Sequence, residues 1–159
     1  DVHSLLNSYL EKNNLRACVA CKFSDSDEFD YFKTVFGDKV SIIQQNTNDI
    51  YSTYEAMDSS DVIVTLNSTA AVEAFGWGKK VLFCNFSGDE LADIFVRGPC
   101  AVNKRDSTEF ENTLNSLREM KYEDYLIRTE KDRHYMMNYN PDMPANEYMR
   151  NIIIKTLKK

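Results

Sequence analysis

The sequence predicts an α/β domain built on a parallel sheet, and three observations predict it. Apolar runs at 17–22, 40–43, 61–66, 81–86 and 99–102 alternate with segments of helical periodicity, the order that right-handed crossovers join into parallel strands. The run Asp61-Val-Ile-Val-Thr-Leu66 is almost uninterruptedly apolar, as a strand covered by helices on both faces requires. From Ser107 onward only helical periods remain, so residues 107–159 form a C-terminal helical segment of a single domain spanning 1–159.

Each element has its own justification. Leu5, Leu6, Tyr9 and Leu10 fall at helical spacing over 2–13, and Asn13-Asn14 stops that helix. The strand at 17–22 ends in a cation, Lys22. Phe29, Phe32, Val35 and Phe36 mark one side of a helix over 26–36 that Gly37 closes. After the strand at 40–43 comes a polar loop, 44–48, then a short helix over 49–57 through Ile50, Tyr54 and Met57. The strand at 61–66 runs into a helix over 68–77. Its small residues Ala70, Ala71 and Ala74 allow close packing, and Gly76 and Gly78 end it. A strand at 81–86, a short helix at 89–95 and an edge strand at 99–102 follow, proline being tolerated at an edge. Ser107-Thr108-Glu109 offers a cap for a helix over 107–120 with Phe110, Leu114 and Leu117 inward. A helix over 123–138, with Tyr135, Met136, Met137 and Tyr139 as packing residues, leads through Pro141 and Pro144 to a last helix, 145–157. Lys155, Lys158 and Lys159 give that helix a basic end that complements its dipole.

Composition narrows the function classes. The 159 residues are 43% hydrophobic and 28% charged, the balance of a globular domain long enough to bury a core. A net charge of −6 argues against a general nucleic-acid binder, whose phosphate affinity needs clustered Lys and Arg. No apolar run reaches the ~20 residues of a membrane span, and no signal segment opens the chain, so a cytoplasmic location is expected. Cys18, Cys21, Cys84 and Cys100 sit in strand-like surroundings and read as reduced core thiols. Cys18 and Cys21, three apart on a strand, point to opposite faces. His3 and His134 have no ligand partner at useful spacing, and neither a metal nor a cofactor is expected.

The motif that carries chemistry is the junction Asn67-Ser68-Thr69. A helix that starts at the carboxyl end of a buried strand aims unpaired N–H groups and the positive end of its dipole above the sheet, an anion seat. Ser68 and Thr69 add hydroxyl donors. Glu73 follows Thr69 by four residues, on the same helix face, and its carboxylate accepts two hydroxyl hydrogen bonds. A plain N-cap at Ser68 or Thr69, and a solvated carboxylate at Glu73, are the competing readings.

With that junction, Glu73, the small-residue helix and the return strand Gly78-Lys-Lys-Val-Leu-Phe83, the chain resembles the C-terminal, donor-nucleotide half of GT-B glycosyltransferases. It is similar in particular to sugar transferases of bacterial surface carbohydrate synthesis. More distantly it resembles glycerophosphotransferases of teichoic acid synthesis and UDP-GlcNAc 2-epimerase. The resemblance is concentrated in residues 61–86. It implies a Rossmann-like three-layer sandwich that binds a nucleotide-diphosphate sugar, the diphosphate on Asn67, Ser68 and Thr69 and the ribose on Glu73. It also implies an N-terminal partner domain, absent from a chain that opens at Asp1, and hence no turnover and no catalytic residue in these residues alone.

Because the first strand of such domains is missing here, the five strands would close up in the order 2-1-3-4-5. The switch point would then lie between 17–22 and 61–66, where ligands of open α/β sheets bind. Lys22 at that point is the candidate counter-charge for the diphosphate; an exposed strand-terminal lysine is the plain alternative. The loop 44–48 would adjoin the base, and Asn85, Ser87 and Gly88 the sugar, although a surface turn explains the latter equally well. Two other classes stay open. A flavodoxin-like nucleotide-binding module shares the strand order, but Asp25 and Asp27 would repel phosphate after the first strand. A non-catalytic module would use the terminal helices to dock a protein. A dinucleotide dehydrogenase is disfavoured by the absence of G-x-G-x-x-G.

Overall fold

In the computed structural model, Asp1 caps the first helix: its carboxylate accepts from Ser4 N–H at 2.8 Å, and α1 runs over Val2–Asn13. Asn14 ends it in the left-handed region at φ 49°, a conformation asparagine tolerates. The structure describes residues 1–22, 26–43, 51–89, 98–137, 140 and 142–157. β1 (Ala17–Ala20), α2 (Ser26–Phe36) and β2 (Val40–Ile43) follow, with a 3-10 turn at Gly37–Lys39. Next come α3 (Ser52–Asp58), β3 (Ile63–Thr65), α4 (Thr69–Gly76), β4 (Val81–Cys84) and β5 (Ala101–Val102). The chain ends in α5 (Ser107–Glu119), α6 (Tyr122–Met136) and α7 (Ala145–Leu157).

All described strand pairs are parallel, as the alternation predicts, but they form two sheets rather than one. β1 pairs with β2, Ala17 opposite Val40. β4 is central between β3 and β5, with Ile63 opposite Val81 and Phe83 opposite Ala101. The five-stranded sheet of order 2-1-3-4-5 is therefore corrected, and with it the three-layer sandwich: among the described residues no ladder joins β1 to β3. The reason is legible in the side chains. A central strand of a doubly wound sheet is covered on both faces, whereas β1 alternates half-buried Ala17 and Val19 with exposed Cys18 and Ala20. β4, by contrast, is buried at all four positions. α3 packs against both β1 and α4, so it touches both sheet units.

The main core gathers Phe75 of α4, Val81 and Leu82 of β4, Val102, and Phe110, Leu114 and Leu117 of α5. A second, smaller cluster of Leu10, Phe36 and Val40 lies between α1, α2 and β2. Leu6 and Leu15 touch both clusters, making the α1 end of the chain a shared wall. His3 belongs to the α1–α2 contact, with Nδ1 2.9 Å from the Tyr31 hydroxyl and its ring edge-on to Phe32 at 5.2 Å.

α5 has the predicted apolar repeat, but its cap is Asp106 rather than Ser107, accepting from Glu109 N–H at 2.8 Å. α6 packs on α4, and its Tyr125 hydroxyl donates to Lys79 O, in the turn that follows α4, at 2.5 Å. Beyond it Thr129 Oγ1 donates to Tyr125 O and receives Arg133 Nε, a chain of bonds that leaves the buried hydroxyls satisfied. Met136 and Met137 are partly covered, as packing residues should be, but Tyr135 is 71% exposed. The expected helix at 89–95 and the loop 44–48 fall on residues outside the described ones, apart from Asp89, as does Tyr139.

Candidate functional site

Ser68 stands between β3 and α4 with extended backbone, φ −119° and ψ 126°, and its hydroxyl accepts from Ala71 N–H at 3.5 Å. The first intrahelical bond runs from Val72 N–H to Ser68 O at 3.1 Å. Cap geometry of this kind leaves the N–H groups of Thr69 and Ala70 without intrahelical acceptors. Asn67 and Thr69 are exposed, and Ser68 and Glu73 are half-buried. The sequence-predicted nose of α4 thus exists with the predicted residues on it.

Glu73 has a structural task that its spacing did not reveal. The Tyr54 hydroxyl of α3 donates to its Oε2 at 2.8 Å, stapling α3 to α4. That hydrogen bond, and then the carboxylate charge, raise the Tyr54 pKa above its ordinary value. The Tyr54 ring lies 6.0 Å from the exposed indole of Trp77 one turn further along α4. Tyr54 was readable in the sequence only as an inward-facing residue of a short helix. Its pairing with Glu73 is a contact between two elements, which periodicity does not encode.

Lys22 is exposed, one residue beyond Cys21, whose N–H extends the β1–β2 ladder to Ile43 O at 2.9 Å. It stands at the carboxyl end of the two-stranded sheet, and α4 at the carboxyl end of the three-stranded one. The switch point expected between neighbouring β1 and β3 is corrected together with the sheet order, because those strands are not paired. Ser68, Thr69 and Glu73 share one short helix; Lys22 belongs to the other sheet. Asn85 and Ser87 fold their own turn: Asn85 Oδ1 accepts from Ser87 N–H at 3.1 Å and from its hydroxyl at 2.6 Å.

Two clefts open on the opposite, amino-terminal edges of the strands. One, of about 600 Å³, is lined by Asp58, Asp61, Lys79, Lys80, Arg118 and Tyr122 among others. Its two lysines are engaged by helix ends. Lys79 Nζ meets Asp58 at both backbone O (2.8 Å) and carboxylate (2.6 Å), and Lys80 Nζ donates to Met120 O at 2.6 Å. Consecutive residues entering a strand point to opposite sides, so the Lys79-Lys80 pair neutralises the carboxyl ends of α3 and α5. The other cleft, about 680 Å³, lies beside Leu10, Arg16, Lys39 and Ser41. Neither cleft adjoins α4's first turn.

The thiols divide by burial. Cys84 and Cys100 are buried and burial pushes each up to about 12, whereas Cys18 is exposed, a correction to its placement in the core. One spacing bears on metal binding: Asp25-Ser26-Asp27 is an Asp-x-Asp pair. Asp25 lies outside the described residues, and among the described residues no group of three or more potential ligands gathers.

A family model for proteins described as "putative O-antigen biosynthesis protein" matches residues 2–155. The chain belongs to that family. The match spans the residues of both sheets and nearly all of α7. The family ties the chain to surface carbohydrate biosynthesis, the coarser part of what its sequence resembles; neither the GT-B assignment nor the donor-nucleotide role follows from the match. No curated protein and no solved structure matches the chain. Among the described residues no helix is long and apolar enough to cross a membrane.

Proposed function

We propose that the chain serves O-antigen biosynthesis as the donor-binding part of a glycosyltransferase, holding the diphosphate of a nucleotide sugar at the start of α4. The observation that carries this reading is the β3–α4 junction, where Ser68 caps in extended conformation and exposed Asn67 and Thr69 flank backbone N–H groups that the helix leaves without acceptors. A diphosphate there gains charge-assisted hydrogen bonds and the helix dipole. Glu73 Oε2 receives Tyr54, and a ribose hydroxyl would meet the other oxygen, Oε1. Tyr54 thereby fixes the carboxylate's orientation and becomes a positioning residue. Lys22 supplies counter-charge from the neighbouring sheet unit, and an N-terminal partner domain supplies the acceptor side and the reacting groups.

Calorimetric titration of UDP, CDP and GDP into the purified chain tests the proposal. Glu73→Gln keeps an oxygen for Tyr54 but removes the charge from the ribose contact, and is expected to weaken binding about tenfold or more, one charge-assisted hydrogen bond. Lys22→Ala should weaken it further if both sheet units face one ligand. Tyr54→Phe should weaken binding less than Glu73→Gln, because it frees the carboxylate without removing it. Binding of no nucleotide, or affinity indifferent to Glu73→Gln and to Ser68→Ala, overturns the assignment. The competing module that docks a protein through its terminal helices predicts the first of these, binding of no nucleotide.

A further inference from the structure

The last helix presents an apolar face that nothing among the described residues covers. No residue of α7 is buried, and Tyr148, Met149, Ile152, Ile153 and Leu157 are between 47% and 81% exposed. At about 100° per residue these five side chains share about half of the helix circumference, with Thr156 and Asn146 between them. Isolated exposed hydrophobics are ordinary, but five large ones on one side of a helix are not. Every other helix of eight residues or more contributes at least one buried side chain to the body, α2 through Phe36 in the smaller core cluster.

The charges around that arc point to its occupant. Arg150 and Lys155 fall on its two borders by helical geometry, and Lys158 and Lys159 follow in the sequence, against a single acid, Glu147. The chain as a whole carries −6, so the cationic segment is set apart from an acidic body. Cations on both rims, with stems long enough to let the ammonium or guanidinium rise while the apolar face sinks, are the signature of a helix lying in a membrane interface. A second copy fits worse. Two such faces meeting symmetrically would bring like charges together along both borders, with one acid per helix to offset them.

We propose that α7 is an interfacial anchor, laying its apolar face in the plane of an anionic lipid bilayer and holding the α/β body at the membrane surface. At 13 residues it is too short to span a bilayer, so the contact is reversible and rests on two weak contributions, apolar burial and headgroup charge. This inference is independent of nucleotide binding at α4.

Co-sedimentation of the chain with vesicles of phosphatidylcholine, alone or mixed with phosphatidylglycerol, tests it. The expected result is binding to the mixed vesicles, release by high salt, and little binding to phosphatidylcholine alone. Ile153→Asp should abolish binding, and Lys155→Glu should weaken it about fivefold or more, near the contribution of one cation at an anionic surface. Ile154→Asp, on the polar side of the same helix, should leave it nearly unchanged. Far-UV circular dichroism and urea midpoints confirm that the variants fold, which an element with no buried residue permits. Failure to bind the mixed vesicles overturns the proposal. So does equal loss in Ile153→Asp and Ile154→Asp, or a dimer in sedimentation velocity that Ile153→Asp dissociates in the absence of lipid affinity.

Discussion

Gly76 closes α4, yet what its position forbids is a side chain. A methyl group there would lie 2.5 Å from Met137 Cβ and 2.8 Å from Met137 Cε, so α6 comes down on α4 where only hydrogen fits. Gly76→Ala is expected to destabilise the protein by about 1–3 kcal/mol, the usual range for overpacking, read as a lower urea midpoint at unchanged slope. Combining it with Met137→Gly should cost less than the two changes added, because the clash disappears; strict additivity would show that the helices shift apart freely. The sequence marked Gly76 as a helix stop, and Gly78, at φ 93°, is the left-handed residue such a stop uses. Close approach was hidden because it depends on a methionine two helices further along the chain. Glu73 teaches the same lesson: its spacing from Thr69 was readable, its bond to Tyr54 was not.

Among the elements, α1 and α2 meet around an imidazole. His3 accepts or donates at the Tyr31 hydroxyl and stands edge-on to Tyr31, Phe32 and Phe36. Its pKa is lowered below the ordinary 6.5, first by burial and then by the positive N-terminus beside it. The unfolded chain therefore takes up this proton first as the solution is acidified. The stability His3 confers is fully present above pH 6.5 and is lost as pH falls through the lower folded value. Urea midpoints measured from pH 7.5 down to pH 5 should decline, and His3→Gln should flatten the part of that decline that this ring causes. An equal slope in the variant would assign the acid sensitivity to other groups. Helices were the most legible elements. α1, α2 and α7 match their predicted bounds because a 3.6-residue period, a cap and a stop are all local signals. Strands were found in the right places but proved shorter, 63–65 instead of 61–66 for β3, since an apolar run sets where a strand can form and the partner sets how far it pairs.

At the scale of the molecule, the unreadable quantity was the number of sheets. Parallel order follows from βαβα alternation, but whether β1 adjoins β3 depends on which faces are covered, and the exposed Cys18 and Ala20 of β1 answer that. The consequence is a molecule with unequal halves. Among the described residues the core around β1 and β2 holds Leu10, Phe36 and Val40, whereas the core around β4 includes Phe75, Leu82, Phe110, Leu117 and Tyr125 together with Cys84 and Cys100. Less buried apolar area means a lower opening free energy, so the β1–β2 unit should open locally before the whole unfolds. The four thiols report this. Cys18 is exposed and should react with Ellman's reagent in the native protein. Cys21, buried at the end of β1, should react next in dilute urea, while Cys84 and Cys100, pushed up to about 12 by burial, should wait for global unfolding. Mass spectrometry of the labelled cysteines separates the three rates. If Cys21, Cys84 and Cys100 react at one common rate that tracks global stability, then the shared wall of Leu6 and Leu15 welds the two sheets into a single cooperative unit. A Lys22 on the first sheet and an α4 on the second would then hold a fixed geometry towards a common ligand. If Cys21 runs ahead, that geometry is one the ligand itself must select, and nucleotide should slow Cys21 labelling in proportion to its occupancy.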